Sequence, residues 1–365
     1  METCVTGIFS DSSITEQPFG TLLSGESATL YTLTNKQGMQ VNITNYGGII
    51  VSIFTPDITG RLADIVLGYD NVADYEQDTY YLGAIIGRYA GRIAEGKISL
   101  DGKQYQLALN APDSQLHGGP HALNKKLWHA VAKHEHQNTS LTLSYVSPDG
   151  ENGYPGNVTI KVVYTLDDHN TLSVEYFAET DATTLLNLTQ HSYFNLAGHN
   201  SGSIAQHQVA INADHFLPMT PTAYPTGEIC EVSGTVQDFR QLTSLSKHID
   251  GDDEQVQIAK GFDNYWLVNP DAQTGEHYIA KVVDPASGRT LTLYSDQPSV
   301  ILYTANYIDG SHTGKNNSRY QQRAALCLEP QRANNMKTGA DINNTLLTPN
   351  TPFYSKSRYV FSIEA

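Results

Sequence analysis

Basic side chains are scarce in this 365-residue chain: 22 Lys and Arg stand against 38 Asp and Glu, a formal net charge of −16. A surface of that sign cannot neutralise phosphates, which excludes nucleic acid and anionic membrane as partners and weighs against a phosphorylated substrate. Cysteine is almost missing. Cys4, Cys230 and Cys327 are scattered, odd in number and without a C-x-x-C pair, so neither a disulfide framework nor a structural zinc site is expected, and a reducing cytoplasm fits. No run approaches the ~20 apolar residues of a membrane span, and the N-terminus has neither the basic segment nor the apolar stretch of a secretion signal. Asn138-Thr139-Ser140 has the form of a glycosylation acceptor, but without a secretory route it carries no weight. Helical periodicity is the last thing lacking: Asn71 to Glu76 and Leu242 to His248 are the best candidates, each a turn or two.

What is present is strand after strand. Residues 1–18 read as a loose leader ending at Pro18. Thr29 to Leu33 and Met39 to Ile43 alternate apolar with polar around Asn35-Lys36-Gln37-Gly38, and Ile98 to Leu100 and Tyr105 to Leu107 flank the turn dipeptide Asp101-Gly102. Leu141 to Tyr145, Val158 to Leu166 and Leu172 to Tyr176 are three consecutive period-2 runs, and 290–294 and 359–363 continue the habit. No repeat and no linker cuts the chain. Many strands without a break predict one large antiparallel β-sandwich over residues 19–365, although the length alone allows two domains.

Six segments carry candidate chemistry. Leu188 to Gly198 packs His191, Ser192, Tyr193 and the amides of Gln190 and Asn195 into one stretch. Burying that mixture costs free energy unless each group finds a partner, so it suits either a site gripping a polyhydroxylated ligand or a well-satisfied buried loop. Ala325 to Gln331 is an apolar strand with one carboxylate, Glu329, before Pro330; alternation sets Leu326 and Leu328 on one face and Cys327 with Glu329 on the other. Such a carboxylate is salt-bridged or poised as a base. Gly261-Phe262-Asp263-Asn264-Tyr265-Trp266 places Asp263 among aromatics, either to hold sugar hydroxyls or as an Asx turn into a strand. His117 sits in a glycine-rich loop, and Arg88 and Arg92 stand four apart, able to hold an anion or to pair with a surface acid. Gln297, in Ser295-Asp296-Gln297-Pro298, has the form of a turn residue. His117, His121, His129, His134 and His136 match no common metal-ligand spacing.

Together these segments resemble the aldose 1-epimerase family, the galactose mutarotases, from about Phe19 onward. The resemblance rests on Asn45-Tyr46-Gly47-Gly48, Gly87 to Ile93, Leu116-His117-Gly118-Gly119, Gly153-Tyr154-Pro155-Gly156, Thr189 to Gly198, Pro225-Thr226-Gly227-Glu228, Gly261-Phe262-Asp263 and Cys327-Leu328-Glu329. It implies an all-β fold, a large antiparallel β-supersandwich, and a cofactor-free and metal-free isomerase that interconverts α and β anomers of hexoses such as galactose and glucose. The partner would be a small aldose, handled by a monomer or homodimer in carbohydrate metabolism. By the same resemblance Glu329 is the catalytic base, His191 the catalytic acid, and Arg92, His117, Asp263 and Gln297 contact the sugar. An ionised Glu329 and a protonated His191 would face each other across one cleft, within roughly 9 Å. Two departures stand out: Gly91 replaces an Asn common before the family's arginine, and Arg332-Ala333-Asn334-Asn335 replaces a His-Phe-Pro-type segment. A non-catalytic sugar-binding sandwich would need no Glu329 opposite His191. A hexose-6-phosphate 1-epimerase would need a basic pocket, and a glycoside hydrolase two flanking carboxylates.

Overall fold

The computed structural model describes residues 11–135, 138–271, 275–333 and 342–364, with the side chains of Glu135, Ile342 and Asn343 outside the description. Cys4, His136 and the Asn334-Asn335 end of the departure lie outside the described residues.

Three antiparallel sheets make the frame. The largest has nine strands, in the order His129–Glu135, Asn138–Ser147, Val158–Asp167, Thr171–Thr180, Phe353–Ile363, Arg289–Ser295, His277–Val283, Gln208–Ile211 and Thr243–Ser244. A five-stranded sheet is built from Ser13 to Asp64, and a second from Cys230–Glu231, His215–Leu217, Asp263–Leu267, Ser299–Tyr303 and Cys327–Gln331. One apolar cluster draws on all three sheets, with Val41, Ile53, Val162, Trp266, Leu293 and Leu328 fully buried in it.

Local chemistry accounts for the hairpins. Asn35 Oδ1 accepts from the backbone of Gln37 and Met39, and Gly38 takes φ 83°, so the chain reverses and pairs Leu33 with Val41. Asp101 and Gly102 hold φ 50° and 75°, the two-residue turn whose twist matches its strands. Asn71 caps the helix Val72–Gln77 by accepting from Asp74 N–H. The second helix expected, over 242–248, is only the 3-10 turn Leu245–Lys247; the real one is Glu254–Ala259, capped by Asp253. A six-residue helix with two buried positions leaves almost no periodic signal.

The expected leader also needs correcting, because Ser13–Thr21 is a strand paired from Ser13↔Thr34 to Thr21↔Ser27. It is an edge strand whose side chains are nearly all exposed, so its order comes from backbone hydrogen bonds that no hydrophobic alternation announces.

Candidate active site

His191 and Glu329 lie 138 positions apart, and a short antiparallel contact joins them. Phe194 and Leu326 exchange both backbone hydrogen bonds, at 2.7 and 2.9 Å. Continuing that register three steps sets Tyr193 opposite Cys327 and His191 opposite Glu329, and opposed Cβ atoms of such pairs stand ~5 Å apart. The strand Cys327–Gln331 is held on its other edge by Ser299–Tyr303, with Ile301 beside Glu329 and Tyr303 beside Cys327. Its alternation is as expected: Leu326 and Leu328 enter one apolar cluster and Cys327 another.

The imidazole is fixed from several sides. His191 N–H donates to Ala84 and its carbonyl accepts from Gly83. The ring stacks on Tyr193 at 5.0 Å and meets His117 edge-on at 5.4 Å. Its Nδ1 lies 3.5 Å from Cys327 Sγ and its Nε2 lies 3.4 Å from Glu329 Oε1. Both residues are buried, and Glu329 Oε2 has no hydrogen-bond partner. An orphaned carboxylate oxygen in such a place fits a ligand that brings its own hydroxyl.

The pair opens into a cavity of about 270 Å³, lined also by Tyr81, Gly91, Arg92, His117, Asp263 and Tyr303. That is close to the lower end of the ~300–1,000 Å³ of small-molecule sites. His117, at φ 52°, trades bonds with Gly91: its N–H donates to the Gly91 carbonyl at 2.9 Å and its Nδ1 accepts from Gly91 N–H at 3.2 Å. That contact puts the proton on Nε2, a donor for the cavity. The loop can approach this closely because residue 118 is glycine; a Cβ there would lie 2.1 Å from the Gly87 carbonyl oxygen. Asp263 opens the strand Asp263–Leu267 opposite Tyr303.

Several expectations need correction. Gln297 is absent from the lining. Its amide donates to Asp296 Oδ1 and Ser355 Oγ, and the residues of the strand that follows, Ser299–Tyr303, that reach the cavity are Ile301 and Tyr303. Four residues of extended chain, ~13 Å, separate Gln297 from Ile301. The amides of Gln190 and Asn195 serve backbone: Gln190 donates to Gly83, and Asn195 to Gly202 and Ala324. Arg88 is a buried staple on the carbonyls of Ser147, Pro148 and Pro155, so only Arg92 of the two arginines faces the cavity. Of the aromatics flanking Asp263, Tyr265 lines the cavity while Phe262 and Trp266 pack in the core. Tyr80, Tyr81, Tyr303, Tyr307, Met219 and Ala223 were not singled out; the alternation of Ile301 and Tyr303 on one strand was the available signal.

The charge states also differ from expectation. Burial pushes the Glu329 carboxyl well up, helped by the charge of Asp263, and lowers the His191 imidazole to about 4. Burial therefore opposes the charged form of both partners in this contact, because neither charge is compensated for lost water. Burial also raises Asp263 to about 7, against the pull of Arg92. A folded value above the ordinary 3.8 contributes stability that is complete below that value and lost as pH rises through about 7. Asp263→Asn is therefore expected to be more stable than wild type at pH 8, by roughly 2 kcal/mol after allowing for residual solvent contact, with no gain at pH 4. Thermal melts at the two pH values check this; an equal change at both would contradict it.

Comparison with known proteins agrees with the geometry. The family model for aldose 1-epimerase matches residues 29–360. The chain is 38% identical to galactose mutarotase of Sus scrofa and, equally, to that of Homo sapiens, over 96% of this chain and 99% of each relative. The crystal structure of galactose 1-epimerase from Lactobacillus acidophilus NCFM superposes with a TM-score of 0.85 at 25% identity, covering 97% of this chain and all of that one. The chain belongs to the aldose 1-epimerase family.

Proposed function

We propose that the cavity takes one hexose, galactose or glucose, with its anomeric hydroxyl at Glu329 and its ring oxygen at His191. The protein is an aldose 1-epimerase, and the observation that supports these roles most is the 3.4 Å contact between Glu329 Oε1 and His191 Nε2 at the base of a sugar-sized cavity. The two oxygens to be served hang on one carbon, so a base and an acid side by side suit them better than a pair spread across a cleft.

The reactive form carries its proton on His191, so that the pair is a carboxylate and an imidazolium. The carboxylate takes the proton of O1; the O1 electron pair forms the C1=O1 double bond as the C1–O5 bond breaks; and O5 takes the imidazolium proton. Rotation about C1–C2 and return of both protons close the ring on the other carbonyl face. Atoms and charge balance, with no redox step. Asp263 accepts from sugar hydroxyls while Arg92 and His117 Nε2–H donate to sugar oxygens, in a rim of tyrosines that covers the C–H faces. Arg92 is the one Lys or Arg among the described lining residues, which suits an uncharged sugar better than a hexose phosphate.

Among the described residues no helix is long and apolar enough to cross a membrane. Cys230 and Cys327 are free thiols, and we place the enzyme in the cytoplasm as monomer or homodimer. The test is polarimetric: freshly dissolved α-D-galactose and α-D-glucose should relax to the equilibrium rotation far faster with enzyme than in buffer. Binding of either sugar with no acceleration would leave a carbohydrate-binding module as the reading.

A further inference from the structure

Beyond the proton couple, the cavity-lining His191 and Glu329 form a donor set of a different kind with Cys327. One nitrogen of His191, the Cys327 sulfur and one oxygen of Glu329 lie within 4.8 Å of one another. All three residues are buried, and Glu329 Oε2 has no hydrogen-bond partner. Imidazole, thiolate and carboxylate together are ligands of Zn²⁺ and its borderline-soft neighbours. Donors sharing a tetrahedral zinc at ~2.0–2.3 Å stand roughly 3.3–3.7 Å apart. The His191–Glu329 edge is already 3.4 Å. Cys327 and Glu329 project from the same face of one strand, so closing the remaining gap takes about 1 Å of side-chain movement rather than a change of backbone. The fourth position of such an ion opens to the cavity, as in sites of three protein ligands and one exchangeable group.

We propose that His191, Cys327 and Glu329 bind Zn²⁺, and that the bound ion competes with sugar and shuts the enzyme off. The ion takes the place of the thiol proton and of the proton on the carboxyl, which leave to the buffer. Once coordinated, the imidazole nitrogen and the carboxylate oxygen can neither give nor take a proton. Zinc here is an inhibitor and not a cofactor: dialysis against a chelator leaves the rate unchanged, or raises it if zinc was carried through purification. The inhibition rests on the acid and base roles proposed above, whereas the binding rests only on the geometry.

The experiment has two readouts on chelator-treated full-length enzyme. Mutarotation rates are measured against Zn²⁺ at several galactose concentrations, and Co²⁺ is used as an absorbing probe of the same site. The expected result is inhibition whose apparent constant rises with galactose, and a thiolate-to-cobalt charge-transfer band in the near ultraviolet that saturating galactose removes. In Cys327→Ser the band is absent and the inhibition constant, taken against that variant's own rate, is weaker on the order of 100-fold. No band in wild type, or zinc inhibition equally strong in Cys327→Ser, overturns the site. A band with unimpaired catalysis supports the site and overturns the acid–base roles instead. Should Cys327→Ser fail to fold, the wild-type band and its loss on adding galactose decide the question.

Discussion

Glu329→Gln loses mutarotase activity by ~10²–10⁴-fold or more while keeping its fold and its affinity for galactose. The amide fills the same volume beside Ile301 and can still meet a sugar hydroxyl, but it cannot take the proton of O1. Its effect on stability has a definite sign. Burial holds the Glu329 carboxyl above its ordinary range, so the acid contributes stability that is complete below that range and lost as pH rises through the folded value. A neutral amide carries no such liability, and Glu329→Gln should melt at or above the wild-type temperature at pH 8. Polarimetric kcat/KM, calorimetric galactose binding and a thermal melt on the same preparation separate these statements. A variant retaining most of its activity would remove Glu329 as the base.

The second large effect is at His191. His191→Asn should cost ~10²–10⁴-fold in kcat with KM less affected, because the proton delivered to O5 matters in the transition state and not in the bound sugar. Here the fold is expected to suffer as well. The imidazole stacks on Tyr193 and meets His117 edge-on, and Cys327 and Glu329 lose their ring partner, at a cost of ~1–3 kcal/mol. The wild-type imidazole, lowered to about 4 from 6.5, contributes stability that is complete above pH 6.5 and lost as pH falls through about 4. The melting difference between wild type and His191→Asn should therefore be large at pH 7 and shrink toward pH 4; a difference independent of pH would contradict the neutral imidazole.

The two residues were legible in the sequence for a simple reason: each is a polar group where the pattern demands an apolar one. Alternation along Ala325 to Gln331 also places Cys327 beside Glu329, and both belong to the buried strand. What joins the halves of the site was not legible. Nothing in the run from Leu188 or from Ala325 says that Phe194 and Leu326 pair, and that one bridge sets the distance between acid and base. Gln297 shows the opposite failure, since its residue type suits a sugar while its place in a turn puts it out of reach. Ionisation was missed because it follows from burial by all the neighbours together, and no single residue beside Glu329 or His191 announces it. The Ser13–Thr21 edge strand and the short Glu254–Ala259 helix escaped because backbone bonds and capping hold them, with little apolar pattern to read.

The claim at the centre is that Glu329 and His191 act as one couple on one sugar carbon, and a double-mutant cycle measures that directly. Mutarotation of α-D-galactose is followed for wild type, Glu329→Gln, His191→Asn and the double variant. If the pair works as a unit, removing either member disables the other, and the double variant should fall within about 10-fold of the slower single variant. Losses that multiply, so that the double variant is slower by the product of the two single effects, would mean that the two groups act independently and would contradict the couple.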